Sequence, residues 1–260
     1  MPAFNEEQRL ARTLDELARA IPASDQVCVF LVDDGSAPPI DEKSVRASTA
    51  GDDHASDDRS ARMRIVISRH AVNLGQGAAL ETARRLALDP RWQPVEGPFE
   101  AFVTMDSDGQ HRGSDVLALA GAIAAGADVA LGDRFAGGSE VPTSRRALLA
   151  FARAFERATT GLRLSDVHNG LRAFGPRAIA AMRIRQNRMA HATEISRSIS
   201  RASAERAEDD QLSVVEVPVS VRYSDESLAK GQRASGAVSI VVDLFHGFLF
   251  SDGSQPRGPR

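Results

Sequence analysis

One cysteine in 260 residues, Cys28, excludes an intramolecular disulfide framework and a zinc site built on thiolates. A basic excess is also missing. Lys and Arg total 32 against 35 Asp and Glu, a net charge of −3, so the chain lacks the electrostatic footprint of a general nucleic-acid binder. No apolar run approaches the ~20 residues of a membrane-spanning helix. Met1 is followed by Pro-Ala-Phe-Asn-Glu-Glu, which is not the start of a signal peptide. What is present is material for a core: 42% hydrophobic residues beside 26% charged ones, a balance that global disorder does not show. The length exceeds the roughly 100–150 residues of a common domain but suits one α/β domain with a C-terminal extension. The expectation is a soluble, cytosol-facing globular protein.

The first half alternates short apolar runs with amphipathic stretches, the pattern of βα units feeding a parallel sheet. Val27–Val32, Arg64–Ser68, Ala101–Met105 and Val129–Gly132 are the predicted strands. Each ends at polar or glycine residues, and open α/β sheets bind ligands at the carboxyl ends of their strands. Leu10, Leu14 and Leu17 recur at helical spacing, and Ala78–Leu88 forms a second helix. Residues 41–62, rich in Asp, Ser, Ala and Arg, are predicted to be a solvated, mobile insertion. Glu205–Gln211 is a shorter polar excursion. Residues 1–235 form one domain, 236–250 an apolar helix and 251–260 a tail. Pro2–Glu7 has the character of a turn after a strand, yet no room precedes it, so the sheet is expected to have its first strand missing or truncated.

Asp106-Ser107-Asp108 is the sharpest local signal. Two carboxylates two residues apart, directly after an apolar strand, can meet Mg²⁺ or Mn²⁺, which take oxygen ligands and leave positions for substrate phosphates. Gln110 adds a neutral oxygen at the next alternate position. Standing alone, the motif is also compatible with a solvated acidic turn. Asp33-Asp34-Gly35-Ser36 ends another strand, where a carboxylate can accept from a ribose hydroxyl or a base N–H. Asn73-Leu74-Gly75-Gln76-Gly77-Ala78 opens a helix, and helix N-termini favour anionic groups.

In this order, Pro2–Glu7, Val32–Ser36, Asn73–Leu80, Asp106–His111 and Gly132-Asp133-Arg134-Phe135 resemble the family 2 glycosyltransferases. The nearest branch contains dolichol-phosphate mannose synthase and bacterial polyprenyl-phosphate glycosyltransferases. The resemblance runs from residue 2 to about 247. It implies a GT-A fold with a mixed, mostly parallel sheet flanked by helices, a divalent metal at Asp-x-Asp, and inversion at the anomeric carbon. It also implies site roles. Pro2, Phe4 and Glu6 would contact the nucleoside, and Asp33 or Asp34 the base or ribose. Gly77 falls on the donor side. Asp106, Asp108 and Gln110 would approach the metal that bridges the two phosphates. Arg134 would face an acceptor phosphate, with Arg145 or Arg146 near a second. Asp166–Phe174, Met189–Glu194, Glu216–Val219, Arg222–Asp225 and Ser227–Gln232 extend the resemblance toward the acceptor side. Lys230 would meet the pyrophosphate, where an ammonium suits departing charge. His168 and His191 are candidates for a ligand or base, with a hydrogen-bonded structural role as the plainer reading.

Glu194 lies near the position where many relatives hold a general base. A hydroxyl acceptor must lose its proton during attack and needs that base, whereas a phosphate acceptor is already ionised. The arginines point to a polyprenyl phosphate; the Ala-His-Ala-Thr-Glu segment keeps open a hydroxyl acceptor in cell-wall or surface polysaccharide synthesis. The resemblance implies a GDP- or UDP-sugar as donor. A pyrophosphorylase would want a Gly-rich basic loop where Pro2–Glu7 is acidic. A non-catalytic nucleotide-binding descendant is the remaining alternative, though the metal carboxylates and acceptor arginines are all present. The apolar Ser239–Phe250 segment suits packing on the domain or on a second copy of the chain in a homodimer. Peripheral contact with the inner face of the membrane is the other option, without Lys or Arg to assist it.

Overall fold

The computed structural model describes residues 1–50, 62–94, 97–136, 166, 169–186, 190–204 and 210–222. Strand β1 is Pro2–Ala3, helix α1 Glu7–Ala20, and strand β2 Val27–Asp33. Helix α2 (Glu42–Ala50), strand β3 (Met63–Arg69) and helix α3 (Gln76–Leu88) follow. Then come β4 (Phe102–Thr104), α4 (Gly113–Ala124) and β5 (Val129–Asp133). The second half supplies β6 (Arg172–Phe174), α5 (Pro176–Ala181), α6 (Ala190–Ala204) and β7 (Val214–Pro218).

The strands form two ladders, in the orders β1-β2-β3 and β4-β6-β5-β7. All pairings are parallel except those of β6, which runs antiparallel between β4 and β5. The continuous apolar run of β2 follows from burial on both faces. Val29 and Leu31 enter one core with Leu10, Leu14 and Leu17 of α1 and Leu119 of α4. Phe30 and Val32 point the other way, into a cluster with Val66 and with Ala79 and Ala83 of α3. A third cluster joins Val129, Leu131 and Phe174 to Ile195 and Ile199 of α6. Helix α1 buries its leucine stripe as its spacing predicts.

Two expectations change. Of the two alternatives for the first strand, a missing strand is the one set aside: Pro2 and Ala3 register with Val32 and Asp33 of β2. The 41–62 stretch is not uniformly irregular, because Glu42–Ala50 is helical and buries Val45 against the main core. One apolar side chain with a capping Asp is enough here. Asp41 accepts from the Lys43 and Ser44 amides, satisfying donors at the helix start. The rest of that stretch, 51–61, lies outside the described residues, as do Arg145, Arg146, His168, Lys230 and the 236–250 segment. Among the described residues, no helix is long and apolar enough to cross a membrane.

Candidate active site

The polar ends of β1, β2, β4 and β5 supply most of the predicted site residues. At the end of β2 both carboxylates are buried and engaged with the protein. Asp33 accepts from the Ser36 amide at 2.8 Å and the Ile40 amide at 3.2 Å, and Arg69 Nε lies 3.2 Å away. Burial opposes its charge, but these donors and the guanidinium outweigh it and hold the carboxyl below the usual range. Asp34 accepts from the Leu74 and Gly75 amides at 3.0 and 2.8 Å and contacts His70. Gly35 has φ +79°, and a Cβ there would come within 2.6 Å of the Val72–Asn73 backbone. The β2 turn is therefore packed directly under the loop that leads into α3, which only glycine permits.

Around this turn, Pro2 is buried in β1 and Phe4 is 44% exposed. Asn5 joins the two strand ends: its amide donates to Ser36 Oγ, and its side chain accepts from the Ala37 amide. Glu6 precedes α1 and pairs with Arg9 at 3.1 Å. Gly77 is buried in the first turn of α3.

The Asp-x-Asp pair follows β4. Asp106 keeps 34% of its side-chain surface open, and Gln76 Nε2 donates to its Oδ1 at 2.8 Å. His111 is buried with Nε2 3.8 Å from Asp106 Oδ2. Its Nδ1 has no hydrogen-bond partner among the described residues. Burial disfavours the Asp106 anion, but His111, with Arg172 and His191 behind it, more than compensates and holds the carboxyl below its ordinary range. Asp108 shifts the other way. Burial raises it, the Gln110 amide opposes that, and the charges of Asp106 and Glu6 add to the rise. Asp106 is thus held in its charged form by neighbouring cations, while burial chiefly disfavours the charge on Asp108.

That donor set fits a hard divalent ion, which would accept oxygens from both residues. Among the described residues no cluster of three or more His, Cys, Asp or Glu forms a complete protein cage. Mg²⁺ or Mn²⁺ held by a carboxylate pair would keep positions for phosphate oxygens and water. Gln110 is tied through its backbone, accepting from the Arg222 amide at 2.9 Å.

The end of β5 carries Arg134. Its Nε stands 2.5 Å from Oδ2 of Asp166, whose side chain is 1% exposed. Asn169 also reaches Asp166, and Gly170 packs so closely on Asp106 that a Cβ would collide with its carboxylate. Asp166, Asn169 and Gly170 thus stand between the arginine and the Asp-x-Asp pair. Glu194, in α6, is placed differently from a free base: its Oε2 accepts from the Arg185 and Gln186 amides, both at 2.8 Å. His191, in the same helix, is buried and is among the groups that hold the Asp106 carboxyl low.

Gln76, His111, Asp166 and Gly170 stand inside the quoted motifs, yet their sequence positions carry no sign of which carboxylate each serves. Arg172 also stands inside a quoted motif, and His70, outside them, carries no separate signal.

The model of Glycosyl transferase family 2 matches residues 1–185. The chain belongs to this family. It is a glycosyltransferase, as that membership establishes. An uncharacterized protein of Methanocaldococcus jannaschii is 27% identical over 254 residues, covering 96% of this chain and 91% of that protein. The polyprenol monophosphomannose synthase of Mycolicibacterium smegmatis is 28% identical over 67% of this chain and 59% of its own length. The undecaprenyl-phosphate mannosyltransferase of Micrococcus luteus is 30% identical over 67% of this chain and 64% of its own. The chain thus spans less than two thirds of these two mannosyltransferases. Among solved structures, the glucosyl-3-phosphoglycerate synthase of Mycobacterium tuberculosis, crystallised with Mn²⁺, UDP and phosphoglyceric acid, superposes with a TM-score of 0.56. Identity is 16%, over 95% of this chain and 76% of that one. The fold is GT-A.

Proposed function

We propose that this glycosyltransferase is metal-dependent and inverting, and that it moves a sugar from a GDP- or UDP-sugar to a polyprenyl phosphate. The observation that carries this reading is the Asp106 and Asp108 pair at the end of β4, where Gln76 donates to Asp106 at 2.8 Å and Gly170 packs against the same carboxylate. Asp106 and Asp108, with Gln110 beside them, would hold Mg²⁺ or Mn²⁺. Bound there, the ion neutralises charge on the departing nucleoside diphosphate. Gln76 orients Asp106 by donating to it, and His111 and Arg172 keep it ionised. The nucleoside belongs over Phe4 and the turns after β1 and β2, where Asp33 and Asp34 shape the loops that would surround it.

Three observations support a phosphate acceptor. Two relatives are named for polyprenol- or undecaprenyl-phosphate chemistry. Glu194, the candidate base, accepts from the Arg185 and Gln186 amides, which suits an acceptor that needs no base. Asp166 positions the Arg134 guanidinium, a group whose fork matches phosphate oxygens. Arg145 or Arg146, Lys230, a homodimer and contact of the 236–250 segment with a membrane surface belong to the same reading.

The test is a panel of GDP- and UDP-sugars with Mn²⁺, Mg²⁺ or excess chelator, with and without a polyprenyl phosphate. Transfer is expected to need both metal and lipid phosphate and to be abolished by Asp108→Asn. Arg134→Lys, which keeps a cation beside Asp166, is expected to raise the acceptor KM while leaving donor affinity unchanged, and Glu194→Gln to be mild. Full activity in excess chelator would sink the metal assignment. A dead Glu194→Gln enzyme beside an unaffected Arg134→Lys enzyme would move the acceptor to a hydroxyl.

A further inference from the structure

Both carboxylates after β2 are spent within the protein. Asp33 takes the Ser36 and Ile40 amides and Arg69 Nε, and Asp34 takes the Leu74 and Gly75 amides and His70. At 1% and 3% exposure, neither offers an oxygen to a nucleobase lying over the turn. Arg69, the last residue of β3, is different, because its side chain is 47% exposed. We propose that Arg69 reads the base of the nucleotide-sugar donor, selecting a carbonyl edge (uracil or guanine) over an amino edge (cytosine or adenine). This inference rests on the donor reading above and adds to it the residue that sets base choice.

The register places the arginine. Ala3, Asp33 and Arg69 are paired, so they form the last row across β1, β2 and β3. Adjacent strands ~4.8 Å apart put the outer two about 10 Å apart, a span that a base beside Phe4 and the long arm of Arg69 can close between them. The turn after β2 ties both sides together. Its Ser36 carbonyl accepts from Arg69 Nη2 at 3.1 Å, and its Ser36 Oγ accepts from the amide of Asn5, next to Phe4. Of the four large apolar side chains exposed among the described residues, three (Phe4, Val72 and Leu74) surround this turn. Gly35 packs on the Val72–Asn73 backbone, and the Leu74 amide donates to Asp34. The site therefore offers apolar surface to the faces of a base and one cation to its edge.

The chemistry of the guanidinium sets the choice. It donates and never accepts, and it carries more N–H groups than the contacts to Asp33 and Ser36 use. Uracil and guanine present a carbonyl oxygen where cytosine and adenine present an amino group. Against a carbonyl, Arg69 gains a charge-assisted hydrogen bond. Against an amino group, donor meets donor and both lose their water without a partner. Asp33 and Ser36 hold the guanidinium from two sides, so it is oriented before a base arrives.

The test titrates the full chain, with Mn²⁺ present, with UDP, CDP, GDP, ADP and pyrophosphate. The unsubstituted protein is expected to bind UDP over CDP, or GDP over ADP where the pocket admits a purine, by ~10-fold or more, the scale of one charge-assisted hydrogen bond. Arg69→Gln carries both a donor and an acceptor, serves either edge, and should bring the ratio within ~3-fold while pyrophosphate affinity stays the same. Arg69→Lys keeps a cation beside Asp33, which protects the fold, but lacks the fork and should give an intermediate ratio. Melting curves identify the folded variants, and Arg69→Lys decides if Arg69→Gln is not among them. An unchanged ratio in a folded variant overturns the proposal, as does an unsubstituted protein indifferent to the base. An equal loss for every ligand, pyrophosphate included, also overturns it and leaves Arg69 as a support of the turn. If neither UDP nor GDP binds at all, the donor reading itself fails and takes this inference with it.

Discussion

His70 Nδ1 lies 2.6 Å from Asp34 Oδ1, with its other ring nitrogen 2.9 Å from Thr82 Oγ1. With Nδ1–H donating to the carboxylate, the imidazole clamps the end of β2 to α3. The same carboxylate receives the Leu74 and Gly75 amides, and the next residue, Gln76, donates to Asp106. Asp34 thus fixes the loop from which Gln76 reaches Asp106, at the end of a strand in the other ladder.

His70→Ala removes two side-chain hydrogen bonds and leaves Asp34 with fewer partners in a buried place. The expected loss is about 1–3 kcal/mol of stability, visible as a lower melting temperature. Because Gln76 follows directly, the donor KM should rise as well. His70→Gln retains one amide donor and should recover part of both effects. An unchanged KM in a variant whose melting falls would confine His70 to a stabilising role.

Glu81 makes a second tie, from α3 to the segment after α5. It takes Arg84 Nε at 2.8 Å, Arg85 Nε at 2.8 Å and the Ile184 amide at 3.2 Å, with its side chain 11% exposed. Burial raises its pKa, but the hydrogen bonds of Arg84, Arg85 and Ile184 prevail and lower it to about 2. A depressed folded-state value stabilises the protein fully above the unfolded pKa, about 4.5, and that contribution is lost as pH falls toward 2. Glu81→Gln is therefore expected to cost on the order of 2–3 kcal/mol at pH 7, with the gap closing between pH 5 and pH 2. Urea melts of both proteins across that range test it. A gap that stays constant with pH would assign the effect to packing.

The parts of this fold written in local pattern are legible in the sequence. The Leu10, Leu14 and Leu17 stripe, the apolar run of β2 and the acidic turns at the strand ends all carry their own signal. Strand β1 does not, since two residues have no period and their pairing depends on β2. Strand β6 is also short, and its antiparallel place between β4 and β5 is fixed by tertiary contacts of Ala173 and Phe174. Within the site, residue type marks Asp33, Asp34 and Glu194 as chemistry-bearing, but not the backbone amides that occupy their oxygens. Glu81 looks like one member of an exposed i,i+4 pair, and only the segment ending at Ile184 makes it buried.

Gly170 connects packing to chemistry most directly. A Cβ at this position would collide with the Asp106 carboxylate, while Thr104 Oγ1 holds the Gly170 carbonyl at 2.9 Å and prevents the backbone from backing away. Gly170→Ala must therefore move Asp106, and the bond from Gln76 with it. Overpacking of this kind costs ~1–3 kcal/mol of stability. Displacing a phosphate-side ligand by about an ångström should lower transfer about 100-fold. Gly121→Ala is the matched control, because it lies within α4 and a Cβ there meets nothing within 4 Å. An exposed helical Gly→Ala exchange stabilises by roughly 0.5–1 kcal/mol, so that variant should melt slightly higher with activity intact. Melting curves and kcat/KM for both variants decide the matter. A Gly170→Ala enzyme with undiminished kcat/KM would show that the position of Asp106 is not what limits transfer.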